Sequence, residues 1–334
     1  MKKINILTGL VVALGTIAGC KNSEVVHPDF EYQTVYFASQ YPVRTVVLGE
    51  DANFDNTLDK EGKVAIKATL GGTRKNANNV AIGVTVNESL LDGLYFPNGG
   101  SQIKPMPSNY FSLEADQITI AKGDILGGVE VQLTDAFFAD PDAIQNTYAI
   151  PLQMTSVQNA DSILADKDFV LYALKFINPW HGNYLRRGAD VMTGNINRDV
   201  TRHAEYVEND EVNALQTRSL QQTAFPVQFR DEQGNIFSCT LLLDFDDAGN
   251  CTISTETEGF VASGTGSFVS KGEKNSWGNV DRDGLYLDYQ LEYTGITVGA
   301  GEDAHLVNGT IVTKDTLVMR DRGVVPEYFT PVVN

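Results

Sequence analysis

The chain has 334 residues, with 25 lysines and arginines against 43 aspartates and glutamates, a formal net charge of -18. That surplus repels phosphate backbones and anionic headgroups, which excludes nucleic acid as a partner and requires any membrane attachment to come from something other than a basic surface. A hydrophobic content of 42% supports a packed core, and at roughly 100–200 residues per domain the length predicts two domains.

Lys2 and Lys3 precede an apolar stretch from Ile4 to Ile17, which is signal-peptide length and shorter than the ~20 residues of a spanning helix. It ends in Ile17-Ala18-Gly19-Cys20. Small residues before a cysteine resemble a lipobox, in which the thiol is acylated and becomes the new N-terminus. The alternative is an ordinary signal peptide with an incidental cysteine. Acyl chains on Cys20 would give stable anchoring, with residues 1–19 removed and 20–30 left as a solvated tether. The expected location is the outer membrane, lipid-anchored and facing the exterior.

Beyond the tether, alternation with period two dominates. Val64, Ile66, Ala68 and Leu70 are followed by Val80, Ile82, Val84 and Val86, then by Ile118, Ile120, Val129, Val131 and Leu133. Ile150, Leu152 and Met154 precede Val170, Tyr172, Leu174 and Phe176. Gly, Pro, Asn and Asp bound each run, which is the pattern of half-buried antiparallel strands. A helical turn is expected from Ala136 to Ile144, broken by Pro141. Asn178-Pro179 marks a boundary, because the residue before proline is held extended. The division predicted is 31–177 and 178–334.

The second half stays β. Leu285, Leu287, Tyr289, Leu291 and Tyr293 alternate with Tyr286, Asp288, Gln290 and Glu292. Its meander predicts a calycin-like barrel or a second sandwich. Cys239 and Cys251 flank the turn from Asp246 to Asn250. If Cys251 pairs near Asp244, Cys239 falls several residues away on the opposite face, too far for a disulfide, so two buried free thiols are expected.

Several separated motifs carry a family resemblance. They are Leu70-Gly71-Gly72-Thr73-Arg74-Lys75-Asn76, Asn109-Tyr110-Phe111-Ser112-Leu113, the stretch from Val131 to Phe138, and Thr147-Tyr148-Ala149-Ile150-Pro151-Leu152. Together they resemble the N-terminal domain of unknown function of Bacteroides glycan-foraging lipoproteins, which also occurs ahead of family-18 glycosidase barrels. The resemblance implies an immunoglobulin-like sandwich. The stretch from Trp180-His181-Gly182-Asn183-Tyr184 to Gly323 resembles the C-terminal β domain paired with it in non-enzymatic lipoproteins. Outer-membrane glycan importers or glycosidases are the partners this implies.

Asp283-Gly284-Leu285-Tyr286-Leu287-Asp288-Tyr289-Gln290 resembles the catalytic strand of family-18 glycosidases, but Gln290 stands where the proton-donating glutamate belongs, and an amide cannot serve. The stretch after Pro179 is also too short for the ~250 residues of a parallel eight-stranded barrel. Asp51, Asn53, Asp55 and Asp59 follow an oxygen-ligand spacing, with Asn56 in place of the loop glycine and Gly62 in place of the bidentate glutamate. The four histidines are scattered, and no cofactor fingerprint is present.

Aromatic side chains give the best functional lead, since sugar C–H faces stack on rings while amides and carboxylates take the hydroxyls. Trp277 and Tyr286, with Asp288 beside it, are the first candidates, followed by Trp180 and Tyr184, although for Trp180 a core or interdomain wedge is the favoured reading. The expectation is an all-β, non-catalytic, glycan-binding surface lipoprotein. The alternative is a protein-binding adhesion or assembly module of the outer membrane.

Overall fold

The computed structural model describes residues 30–333 apart from 31, 52, 53 and 74. The expected export segment, Cys20 and Asn53 lie outside the described residues. The first eight principal strands are β1 (Thr34–Tyr36), β2 (Pro42–Val47), β3 (Lys63–Gly71), β4 (Val80–Val86), β5 (Gln117–Ile120), β6 (Leu126–Leu133), β7 (Tyr148–Gln158) and β8 (Phe169–Ile177). They run β1-β3-β6 and then β5-β4-β7-β8-β2, joined where Thr119 of β5 pairs with Gly128 of β6. The alternating residues Val64, Ile66, Val80, Ile82, Ile118, Val131, Ile150 and Leu174 all enter one core. The first domain is therefore a sandwich, with a short helix Asp135–Phe138 and a 3-10 turn Pro141–Ile144 where one interrupted helical turn was expected.

Strand β8 is buried on both faces. Val170, Leu174 and Phe176 point into the sandwich core, while Leu171 and Ala173 join a second cluster with Val43, Leu91, Phe96 and Ile103. That second cluster exists because the end of the chain covers it. Glu327–Tyr328 pairs with Pro42 and Val43 of β2, and Val332–Val333 pairs with Leu94–Tyr95. Phe329, 6% exposed, fills the cluster between Tyr41 and Phe96. A division at 177/178 groups this tail with the second domain, whereas its strand pairings and its buried ring lie on the first.

The second domain is a closed antiparallel barrel, which resolves the open choice between barrel and sandwich. Its strands are β9 (Gly182–Gly194), β10 (Arg198–Arg202), β11 (Glu211–Thr217), β12 (Gln222–Arg230), β13 (Ile236–Phe245), β14 (Asn250–Thr255), β15 (Phe260–Glu273), β16 (Arg282–Val298) and β17 (His305–Asp321). They form a meander, and β17 returns to pair with β9 from Asn183↔Asp321 to Gly194↔Gly309. β10 and β11 share the other side of β9, pairing with Gly188–Met192 and Gly182–Arg186 respectively.

Leu285, Leu287, Tyr289, Leu291 and Tyr293 point inward together with Leu241, Leu243, Ile253 and Leu317. Cys239 and Cys251 are free and buried, but for a different reason than the spacing predicted. The turn pairs Cys251 with Phe245, one residue off the expected register. Cys239 therefore points to the same face, six strand positions from Phe245 and on the order of 20 Å along it. Burial pushes the Cys251 thiol up to about 12, with Asp244 and Asp246 adding to the effect.

Candidate functional site

Trp180 is buried and stacks on Phe245, with ring centroids 4.0 Å apart and planes 7° from parallel. Tyr184 is fully buried and donates its hydroxyl to the Trp180 carbonyl at 2.7 Å. These two residues plug one end of the barrel core. They are thus corrected from ligand-facing candidates to packing residues, because the inward face of β9 carries Tyr184 and the chain entering it carries Trp180.

The other candidates are engaged by neighbouring groups of the protein. The Arg282 guanidinium lies 3.5 Å from the Trp277 ring centroid, and its Nε donates to the Trp277 carbonyl. That face of the indole is therefore occupied by protein. Tyr286 donates its hydroxyl to Glu273 Oε1 at 2.6 Å, and Asp288 pairs with Lys314 across the outer wall at 3.0 Å.

The acidic run near residue 51 is also accounted for by protein contacts. Asp59 is buried, pairing with Arg44 and accepting from the Val47 N–H at 2.9 Å. Asn56 donates to the carbonyls of Val47 and Gly49, while Asp55 accepts from the Thr57 N–H and hydroxyl. The spacing follows a calcium loop, but these oxygens hold a turn. Among the described residues no group of three or more His, Cys, Asp or Glu could hold a metal ion.

Where the two domains meet, a cleft of about 180 Å³ is lined by Glu50, Lys271, Arg282, Asp283 and Arg322 among others. Arg322, 2% exposed, donates to the carbonyls of Glu50, Pro179 and His181 and to the carboxylate of Asp283. Its guanidinium is committed to holding the domains together.

A better candidate site lies on the sandwich, where the returning tail borders a groove of about 690 Å³. Tyr328 lines it and is 67% exposed. Its strand partner is Pro42, so its backbone is held by β2 while its ring faces solvent. Beside it, Glu327 Oε2 lies 2.6 Å from Lys175 Nζ, and Glu327 Oε1 accepts from Asn146 Nδ2 at 3.0 Å. Burial alone would raise the Glu327 carboxyl, but the hydrogen bonds from Lys175 and Asn146 outweigh it and hold the group below its ordinary range. Asn146 Oδ1 is buried without a hydrogen-bond partner among the described residues, an unmet capacity that costs free energy. Asn98 and Gln145 supply further amides to the same groove.

An exposed aromatic ring on a backbone held by β2 thus stands among three amides, a carboxylate and an ammonium group. That set can stack on an apolar face and exchange hydrogen bonds with hydroxyls. Sequence reasoning missed it because these residues come from four distant stretches. The signal available was a tyrosine between Glu327 and Phe329, with Val-rich flanks and no strand-length alternation.

Comparison with known proteins places the chain. Residues 179–323 match the model for a domain of unknown function, DUF5627, and residues 30–161 match a model described as an N-terminal domain. No curated protein matches. A crystal structure of a Bacteroides ovatus protein of unknown function is 45% identical, with 91% of this chain and 100% of that one covered and a TM-score of 0.81. A second Bacteroides ovatus protein of unknown function is 13% identical, covering 87% of this chain and 94% of its own, with a TM-score of 0.43. An auxiliary nutrient binding protein from Bacteroides thetaiotaomicron is 14% identical, covering 86% of this chain and 95% of its own, with a TM-score of 0.40. At 45% identity over nearly its whole length, the chain belongs to the same family as the first Bacteroides ovatus protein.

Proposed function

We propose that this protein is a non-catalytic glycan-binding lipoprotein, carried on the outer membrane through an acylated Cys20 and facing outward, and that it holds oligosaccharide for an importer or glycosidase. The observation that carries the reading is the Tyr328 groove. An exposed ring stands on a backbone held by β2 and is flanked by Asn98, Gln145, Asn146, Lys175 and Glu327. Glu327 is engaged by both Lys175 and Asn146, so it is an acceptor for hydroxyls and is not poised to give up a proton. Gln290, exposed on the outer wall, offers no acid for glycoside cleavage.

The test is titration of neutral oligosaccharides from plant and host sources into the purified protein, followed by calorimetry on Tyr328→Ala and Asn146→Ala. Binding that weakens by about tenfold in each variant, as loss of a stacked ring or a charge-linked amide would give, supports the reading. Affinity unchanged in both variants, or turnover of any glycan that one carboxylate substitution abolishes, overturns it. Mass spectrometry of the membrane-extracted protein tests the acyl chains on Cys20.

A further inference from the structure

The barrel has a breach in its wall, and its chemistry differs from that of the groove. β11 and β12 pair only at Gln216↔Ala224 and Thr217↔Thr223. Beyond those pairs β12 continues to Arg230, while β10 lies on the far side of the gap, paired only with β9. A cavity of about 140 Å³ opens there, lined by Asp190, Arg198, Arg202, Glu211, Gln228 and Arg230 among others.

Behind the opening sits a buried charge network. Arg186, 2% exposed, contacts Asp315 at 2.8 Å and Glu211 at 3.4 Å and reaches the Tyr289 hydroxyl at 3.2 Å. Arg202 pairs with both Asp190 and Asp315. Burial works against the Arg186 charge, yet Tyr289 and Asp315 hold it more firmly protonated than usual. Gly188 makes room for the contact, since a Cβ there would meet Asp315 Oδ1 at 2.3 Å.

This network satisfies its own acids and leaves cations over. Arg186 and Arg202 serve Asp190, Asp315 and Glu211, yet Arg202 Nε is buried with no acceptor among the described residues. Arg198 donates to the Asp231 carbonyl at 3.2 Å and Arg230 to the Gly234 carbonyl at 3.1 Å, and among the described residues neither has a carboxylate partner. Four guanidinium groups face three carboxylates here, on a chain whose formal charge is -18. Two forked donors without acids at a pocket of this size match a small planar or tetrahedral oxyanion.

We infer that the breach in the barrel wall is a second binding site, which takes a carboxylate or sulfate group through Arg198 and Arg230, with Arg202 behind them. The site is separate from the Tyr328 groove and does not depend on it. Such an anion comes either on a sugar, as a uronic acid or sulfate ester, or as a free ion.

The test is calorimetry and thermal shift on the full-length protein with glucuronate, a sulfated monosaccharide, inorganic sulfate and neutral glucose. The same series is run on Arg198→Ala, Arg230→Ala and the double variant. Both arginines lie at the exposed rim, and the circular dichroism and melting temperature of the variants establish that they fold. Binding of an acidic sugar, absent for glucose and weakened about tenfold by each substitution, supports the inference with a glycan as source. Binding of inorganic sulfate alone, lost in the double variant, supports it with a free oxyanion as source. Failure of every anion to bind, or anion binding that the double variant leaves intact, overturns it.

Discussion

Arg322 Nη2 lies 3.1 Å from Asp283 Oδ2, and both side chains are almost wholly buried at the junction of the two domains. Asp283 also accepts from the Lys271 N–H at 2.9 Å, so it fixes the β15–β16 hairpin as well. Removing one member of a buried pair strands the other charge. Arg322→Met is therefore expected to cost about 3–5 kcal/mol in urea unfolding. Combining it with Asp283→Asn should recover part of the loss, and equal stability of Arg322→Met and the parent would count against this role.

Acid should weaken the same junction through His181. Burial, with Arg322 and Lys175 nearby, lowers its pKa from 6.5 to about 4, and its Nδ1 accepts the Thr217 N–H at 3.0 Å. The unfolded chain binds a proton near 6.5, while the folded protein resists it. The stabilisation is thus fully present above 6.5 and is lost as pH falls toward 4, a change on the order of 3 kcal/mol. His181→Asn should flatten that part of the stability profile. A parent profile with no slope between these pH values would sink the assignment.

The tail separates packing from binding. Phe329→Ala empties a site between Tyr41 and Phe96 and is expected to destabilise by about 3–5 kcal/mol. Tyr328→Ala removes a ring that is 67% exposed and should change stability by less than about 0.5 kcal/mol. Chemical denaturation of the two single variants reads the contrast directly, and similar losses in both would contradict it.

Inside the barrel, Gly188→Ala is expected to disrupt the contact of Arg202 with Asp315, because the added methyl overlaps Asp315 Oδ1 and the Lys314 carbonyl. The backbone is not free to move away, since Gly188 is paired with Arg202 on one side and Asp315 on the other. The expected loss is about 1–3 kcal/mol, measured as a lowered melting temperature. Ala189→Gly, on the exposed face next to it, serves as a control for the backbone change.

Much of this architecture was legible in the sequence because pleated strands advertise their buried face every second residue. Leu285 through Tyr293 and Val64 through Leu70 point as the alternation requires. Closure of the barrel was not legible, since the pairing of Tyr184 with Met319 joins residues whose local patterns say nothing of each other. The inward row Tyr184, Arg186, Gly188, Asp190 and Met192 breaks the rule that strand interiors are apolar, and its charges are tolerated because they meet Arg202 and Asp315. The one-residue register at Cys251 shows how a turn's hydrogen bonding decides facing. For Trp180 the sequence favours a core or interdomain wedge over a sugar platform, and its stack on Phe245 shows which core it enters.

The returning tail also decides how the molecule bears tension. Its strands on β2 and beside Leu94–Tyr95 bring the end of the chain back to the sandwich where the chain began. The barrel is consequently strung as a loop whose two leads, at Asn178 and Gly323, are fastened side by side through Asn183, Asp321 and Arg322. A pull between the first and last strands loads the sandwich and peels the tail, while the barrel hangs outside the line of force.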